Sequence, residues 1–178
     1  MTDSSREALG KRLKQYVRDI PDFPHKGILF RDITTLLADA AAFRDAIDGM
    51  GHGYENIDIV VIIESRGFIL GTPIAYLLSA GVVPVRKPGR LPAPTLEQAY
   101  SLEYGAHALE IHQDAIKPGQ RVLIVDDLLA TGGTVAATIR LVELLGGEVA
   151  GISVLAELSD LKGREHIGDY QISSLIVY

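Results

Sequence analysis

The chain predicts an α/β protein built on an open, mostly parallel twisted sheet flanked by helices, with a hairpin or lid inserted after the second central strand. Three observations carry this. Ile57–Ile63 is a nearly continuous β-branched run, as expected of a strand buried on both faces of a parallel sheet. A helix-length segment separates it from a second run, Val82–Val85, which is the spacing of a βαβ crossover. A third apolar run, Val122–Val125, passes through a short polar loop into another helical pattern.

Taken in order, residues 4–18 predict an amphipathic helix. Ser4 or Ser5 is its cap, Leu9, Leu13, Tyr16, Val17 and Ile20 recur at helical spacing, and Pro21 ends it. Residues 21–34 hold too many prolines for a helix and too many apolar side chains for an idle linker, so a structured loop is expected. A second helix runs from about Ala40 to Met50 with Asp39 as its cap. Phe68–Ser79 predicts a helix between the first two strands. Residues 87–114, broken by Pro88, Pro92 and Pro94, read as a binding loop or lid. It contains a hairpin of Ala99–Tyr104 and His107–His112 joined at Gly105-Ala106. Thr134–Leu145 is a helix stopped by Gly146-Gly147. Glu148–Leu155 and Ile172–Val177 are the last strands.

At 178 residues a single domain spanning 1–178 is expected. The 47% hydrophobic and 22% charged content suits a folded globular enzyme. The formal net charge of −6 leaves no general electrostatic footprint for nucleic acid. Zero cysteines exclude disulfides and thiolate metal sites, and the first seven residues lack the apolar stretch of a signal peptide, so a cytoplasmic location is expected. Gly67–Val85 carries no charge over nineteen residues, close to the ~20 that span a bilayer. Pro73, Gly81 and Pro84 interrupt it, and a buried helix followed by a buried strand explains it better than a membrane span.

The three central strands end in polar clusters: Glu64-Ser65-Arg66-Gly67, Arg86-Lys87 and Asp126-Asp127. In a parallel sheet these fall along one edge, where ligands of open α/β sheets collect. Read plainly, Asp126-Asp127 opens an ordinary strand-to-helix connection with two solvated acids. Against this, adjacent carboxylates at the dry end of a strand repel unless something donates hydrogen bonds to them. A vicinal diol supplies two such donors. Thr131-Gly132-Gly133-Thr134 lets backbone N–H groups close around a phosphate at a helix N-terminus. The lysine of a P-loop and the G-x-G-x-x-G fingerprint are both absent. Arg66, Arg86, Lys87 and Arg90 form either a solvated basic face or a local attractor for a polyanion. Glu103, on spacing alone, is a surface acid of the hairpin. The five histidines have no metal-ligand spacing, so no protein-held metal is expected.

Several motifs together resemble the adenine branch of the type I phosphoribosyltransferase family. Val125-Asp126-Asp127-Leu128-Leu129-Ala130-Thr131-Gly132-Gly133-Thr134 resembles its phosphoribosyl pyrophosphate signature. Phe23-Pro24-x-x-Gly27-Ile28-x-Phe30-Arg31-Asp32-Ile33 resembles its base-binding loop. Glu64–Phe68, Arg86–Pro92, Ser101–Gly105 and Leu161–Glu165 add further matches, so the likeness covers essentially the whole chain. The His25-Lys26 pair departs from some relatives at the periphery of the base loop.

The resemblance implies Mg2+-dependent transfer of the 5-phosphoribosyl group to adenine N9, giving AMP and pyrophosphate. Asp126 and Asp127 would hold the ribose hydroxyls, and Ala130, Thr131, Gly132, Gly133 and Thr134 the 5′-phosphate. Ser65, Arg66, Arg86, Lys87, Arg90 and Tyr104 would serve the pyrophosphate, Arg66 falling in the family's pyrophosphate loop, which commonly carries a non-proline cis peptide. Adenine would lie between Leu29 and Leu158, its edge read by backbone groups of Leu29 and Arg31. Glu103 and Arg66 would be the catalytic pair, Glu103 assisting proton handling at the base. Magnesium would be held by substrate and water, and a homodimer is implied. The rival readings are an enzyme for a 6-oxopurine (hypoxanthine, guanine or xanthine) and a non-catalytic phosphoribosyl pyrophosphate-binding regulator. The second would need a nucleic-acid-binding element for which the acidic chain has no spare domain.

Overall fold

The structure, a computed structural model, describes residues 2–102 and 105–178. In chain order it runs α1 (Asp3–Lys14), β1 (Arg18–Pro21), β2 (Leu29–Asp32), α2 (Thr34–Ala38), α3 (Ala40–Gly51), β3 (Ile59–Ile63), α4 (Arg66–Leu78), β4 (Gly81–Val85), β5 (Thr95–Leu102), β6 (Gly105–His112), β7 (Arg121–Leu129), α5 (Gly133–Leu144), β8 (Glu148–Glu157), α6 (Gly163–Ile167) and β9 (Ile172–Val177). The central sheet has the order β4-β3-β7-β8-β9, and every neighbouring pair is parallel.

Alternation along the strands splits the core in two. Val60, Ile62, Leu123 and Val125 face a layer formed by α1, α3 and α4, with Leu13, Ala46, Met50, Leu70 and Ile74. Val61, Ile63, Val85, Ile124 and Val154 face α5 and the β5–β6 hairpin, through Val135, Ile139, Leu109 and Ile111. The uncharged stretch is accounted for: α4 and β4 occupy it, and Ser79 ends the helix in the left-handed region at φ 55°. No helix among the described residues is long and apolar enough to cross a membrane.

Element boundaries differ from the sequence expectation at several points, beginning with the first helix, which is capped by Thr2 rather than Ser4 or Ser5. The first helix stops at Lys14 rather than 18, because Arg18–Pro21 pairs antiparallel with Leu29–Asp32. The 21–34 loop is thus partly a small two-stranded ribbon. A short helix, α2, precedes the capped α3; the Asp39 carboxylate accepts from Ala41 N at 3.0 Å and Ala42 N at 2.8 Å, as its sequence position predicts. The hairpin begins at Thr95, and Leu102 pairs with Gly105, so Gly105-Ala106 lies within β6 rather than forming the connection. Finally, β7 continues through the two aspartates to Leu129, because Leu128 and Leu129 keep pairing with Ala156 and Glu157 of β8.

Candidate active site

The extension of β7 decides the geometry. On one side the strand stays paired with β8, but on the other β3 ends at Ile63, opposite Ile62–Val125 as the last register pair. Beyond that point the chain turns through a cis Glu64–Ser65 peptide into α4. Asp126 and Asp127 therefore sit inside a strand, beside the 64–67 turn, and are buried to 8% and 6% exposure. Gly67 lets the turn approach: a Cβ there would lie 3.1 Å from both Asp126 Oδ1 and the Val125 carbonyl oxygen.

Two buried carboxylates side by side need compensation. Asp126 Oδ1 accepts from the Asp127 N–H at 2.8 Å, and Asp127 Oδ2 lies 2.8 Å from Arg66 Nε. Burial pushes the Asp126 carboxyl well above the usual aspartate range, with the Asp127 charge acting in the same direction. Burial also raises Asp127, and the Arg66 guanidinium partly offsets the shift. Two adjacent buried carboxylates whose charge is opposed by desolvation are suited to further hydrogen-bond donors from a ligand.

Arg66 joins three parts of the site. Besides Asp127, its guanidinium lies 4.9 Å from the Phe30 ring centroid, and its Nη1 donates to the Arg31 carbonyl at 3.5 Å. Arg31 itself is paired with Asp19 across the β1–β2 ribbon. Arg86 sits at the end of β4 as expected, but its charge is already engaged: Glu64 accepts from its Nε at 3.3 Å and its Nη2 at 3.1 Å. Glu64 also accepts from Lys87 N, and buried Glu110 accepts from Arg90 N at 2.7 Å and Leu91 N at 2.8 Å. These carboxylates shape the 86–91 loop while leaving the Lys87 and Arg90 residues exposed.

Two helix N-termini face this edge. Neither α4, entered at Ser65, nor α5, entered at Gly132, has a side-chain cap, so their first N–H groups are available to an anion. Ala130–Thr134 forms the turn into α5, with Gly132 at φ 86°. Its fit is set by a residue to which the sequence reading gave no role. A Cβ on Gly132 would be 2.3 Å from the Gly163 carbonyl oxygen, and one on Gly163 would be 2.3 Å from the Ala130 carbonyl oxygen. A small cavity of about 140 Å3 lies along Leu128–Val135. Leu158 follows β8, half-buried, with its N–H donating to the Leu129 carbonyl at 2.9 Å. Leu29 is 46% exposed at the start of β2.

Expected residues Ser65, Arg66, Asp126 and Asp127 are thus adjacent, with Arg31 reached through Arg66. Glu103 and Tyr104 lie outside the described residues. Missed by sequence reasoning were Glu64 and Glu110 as clamps on the basic loop, and Gly163 behind the phosphate-type turn. Glu64 and Gly163 were visible only as members of motifs; Glu110 gave no signal, since its partners are backbone groups twenty residues away in the chain. Among the described residues, no cluster of three or more His, Cys, Asp or Glu side chains is placed to hold a metal ion.

Residues 34–177 match the family described as phosphoribosyl transferase domain. The chain is 58% identical over 168 residues to the adenine phosphoribosyltransferase of Clostridium perfringens, an alignment covering 93% of this chain and 98% of that one. Among solved structures, it superposes on the adenine phosphoribosyltransferase of Thermoanaerobacter pseudethanolicus with a TM-score of 0.91 at 52% identity, covering 94% of this chain and 99% of the other. The Saccharomyces cerevisiae enzyme, in complex with an imino-altritol bisphosphate and adenine, superposes with a TM-score of 0.87 at 36% identity over 95% of this chain and 99% of that one.

Proposed function

The chain belongs to the adenine phosphoribosyltransferases of the phosphoribosyl transferase family, and from that premise we propose how its residues divide the work of making AMP and pyrophosphate from adenine and phosphoribosyl pyrophosphate. In this reaction adenine N9 bonds to C1′ of the ribose as the C1′–O bond to pyrophosphate breaks. The protein must neutralise the leaving group, align the base and exclude water.

The single observation behind the residue assignment is the meeting of Arg66 with Asp127, the Phe30 ring and the Arg31 carbonyl at the end of β7. Asp126 and Asp127 accept from the ribose hydroxyls, which supply the donors that their burial demands. Ala130, Thr131, Gly132, Gly133 and Thr134 wrap the 5′-phosphate at the N-terminus of α5. Ser65 and Arg66, at the N-terminus of α4, take the pyrophosphate together with Arg86, Lys87 and Arg90. Adenine lies between Leu29 and Leu158, with its edge against backbone groups of Leu29 and Arg31. Glu103 and Tyr104 keep the roles implied by family resemblance, at the base proton and the pyrophosphate. Residues 87–114 act as the lid that keeps water from the reacting carbon.

Mg2+ is the proposed cofactor; it would neutralise pyrophosphate charge. Asp126 and Asp127 are hard oxygen donors beside the site assigned to ribose, and the ion would be carried there mainly by substrate oxygens and water. The proposed assembly is a homodimer, supported by an apolar strip on α4 and β4 where Ile69, Tyr76, Leu77 and Val82 are 48%, 89%, 50% and 41% exposed. The proposed location is the cytoplasm, with which a cysteine-free chain is compatible.

Incubating the purified protein with adenine, phosphoribosyl pyrophosphate and Mg2+ should yield AMP. Absence of AMP across a range of pH and salt would overturn the reading. Competition with hypoxanthine, guanine and xanthine checks the base, since a 6-oxo group needs a donor where adenine's 6-amino group needs an acceptor.

A further inference from the structure

Tyr178 follows β9, outside every motif that pointed to substrate, and yet it is tied to both segments assigned to the base. Its N–H donates to the Glu157 carbonyl at 2.9 Å. Its own carbonyl oxygen accepts from the Ser159 N–H at 3.1 Å and from the Ser159 hydroxyl at 2.5 Å. These bonds fix the residues on either side of Leu158. The Tyr178 ring meanwhile carries the Arg31 guanidinium 3.8 Å from its centroid, and Lys14 Nζ at 4.1 Å.

Arg31 connects this ring to the rest of the site. Its side chain is paired with Asp19 and only 16% exposed, which strengthens a cation on a ring face relative to one in water. Its carbonyl oxygen accepts from Arg66, and it lies two residues from Leu29. The Tyr178 hydroxyl is buried without a hydrogen-bond partner, so the ring rather than the phenol carries the contact.

We infer that Tyr178 is a positioning residue for the base: its backbone holds the Leu158 wall and its ring holds the Leu29–Arg31 wall, keeping the two in register from outside the slot. The inference rests on the assignment of Leu29 and Leu158 to adenine. Loss of the ring frees one wall relative to the other. The effect falls on adenine and spares the ribose and phosphate contacts, which depend on β7 and the turn into α5.

Steady-state kinetics of Tyr178→Leu, Tyr178→Phe and Leu158→Ala test this. Tyr178→Leu should raise the adenine KM about tenfold, with the donor KM and kcat kept within about twofold. Tyr178→Phe retains the ring face and should stay within about twofold of the parent on both substrates. An unchanged adenine KM in Tyr178→Leu, equal rises in both KM values, or equal damage by Phe and Leu would overturn the positioning role. Leu158→Ala separates the two levels. If it raises the adenine KM while Tyr178→Leu does not, only the Tyr178 inference fails; if it leaves the adenine KM untouched, the slot assignment fails and takes the inference with it. Should Tyr178→Leu not fold, Arg31→Gln removes the cation and leaves β9 intact. A selective rise in adenine KM then supports the stack, and an unchanged value overturns it.

Discussion

Arg66 Nε lies 2.8 Å from Asp127 Oδ2, across the gap left where β3 ends and β7 continues. This pair joins the turn assigned to pyrophosphate to the strand assigned to ribose, and the same guanidinium reaches the base loop through Phe30 and the Arg31 carbonyl. The three parts of the proposed substrate site thus share one cation.

Asp127→Asn keeps the size of the side chain and removes its charge. Losing a charge-assisted bond of about 1.5–3 kcal/mol should weaken donor binding by roughly ten- to a hundredfold, with a smaller effect on adenine. Separate binding or KM measurements for the two substrates check this, and equal losses would contradict the assignment to the ribose diol.

Asp126→Asn should stabilise the unliganded fold while impairing catalysis. Burial and the Asp127 charge raise the carboxyl's pKa in the folded protein, so the native state binds the proton more tightly than the unfolded chain does. Stability is therefore lost as pH rises from the ordinary aspartate value of 3.8 through the raised one. The gain from the Asn substitution should grow as pH rises above 3.8 through the raised value and shrink as pH falls back toward 3.8. A gain of ~1 kcal/mol would move Tm by about 2–4 °C in a chain of this size. Thermal melts at several pH values would show it; a lower Tm at neutral pH would refute it.

Gly163→Ala should raise the donor KM although residue 163 is not assigned to substrate. Its new Cβ would be 2.3 Å from the Ala130 carbonyl oxygen, and backbone on the phosphate turn must shift to relieve the contact. Gly132→Ala adds a φ of 86° to a clash of the same size, so it should be worse. Gly27→Ala provides the contrast: it also has positive φ, but nothing lies within 4 Å, so conformational strain acts there without a clash. Donor KM values in the order Gly132→Ala above Gly163→Ala above Gly27→Ala are expected.

Arg164 donates to both Glu157 oxygens at 2.7 Å, linking the segment after Leu158 back to β8. The hydrogen-bonded guanidinium holds the Glu157 carboxyl below its usual 4.5. The pair's stabilisation is therefore present above 4.5 and lost as pH falls through the lowered value. Glu157→Gln should flatten the acid limb of the stability profile in that window. An acid limb identical to the parent's would show that other carboxylates dominate it.

Tyr76→Glu should convert the proposed dimer to a monomer. Tyr76 is 89% exposed on the α4 strip, and a charge buried without a partner opposes association. Sedimentation of the two proteins decides it, and an unchanged mass would place the interface elsewhere.

Much of this molecule could be read from the chain because the deciding interactions are local or periodic. Asp39 caps α3 because a short carboxylate at that position reaches the next free N–H groups. The runs at 59–63 and 81–85 form neighbouring parallel strands because β-branched residues between turn signals have few alternatives. The polar clusters at 64–67, 86–87 and 126–127 share an edge because parallel strands all end on the same side.

Tertiary structure decided the rest. Local pattern ended β7 at Val125, since aspartate is a poor strand former; pairing with β8 carried it on to Leu129 and buried both carboxylates. Arg86 read as a free cation until folding brought Glu64 to it across neighbouring strand ends. Gly132 against Gly163, and Tyr178 beneath Arg31, join residues whose separation in the chain leaves no periodic trace. The sequence by itself determined which chemical groups stand at the edge of the sheet, because strand period and turn residues are written locally. Their charge state, pairing and spacing were decided only in the folded protein, because burial and long-range contacts set them.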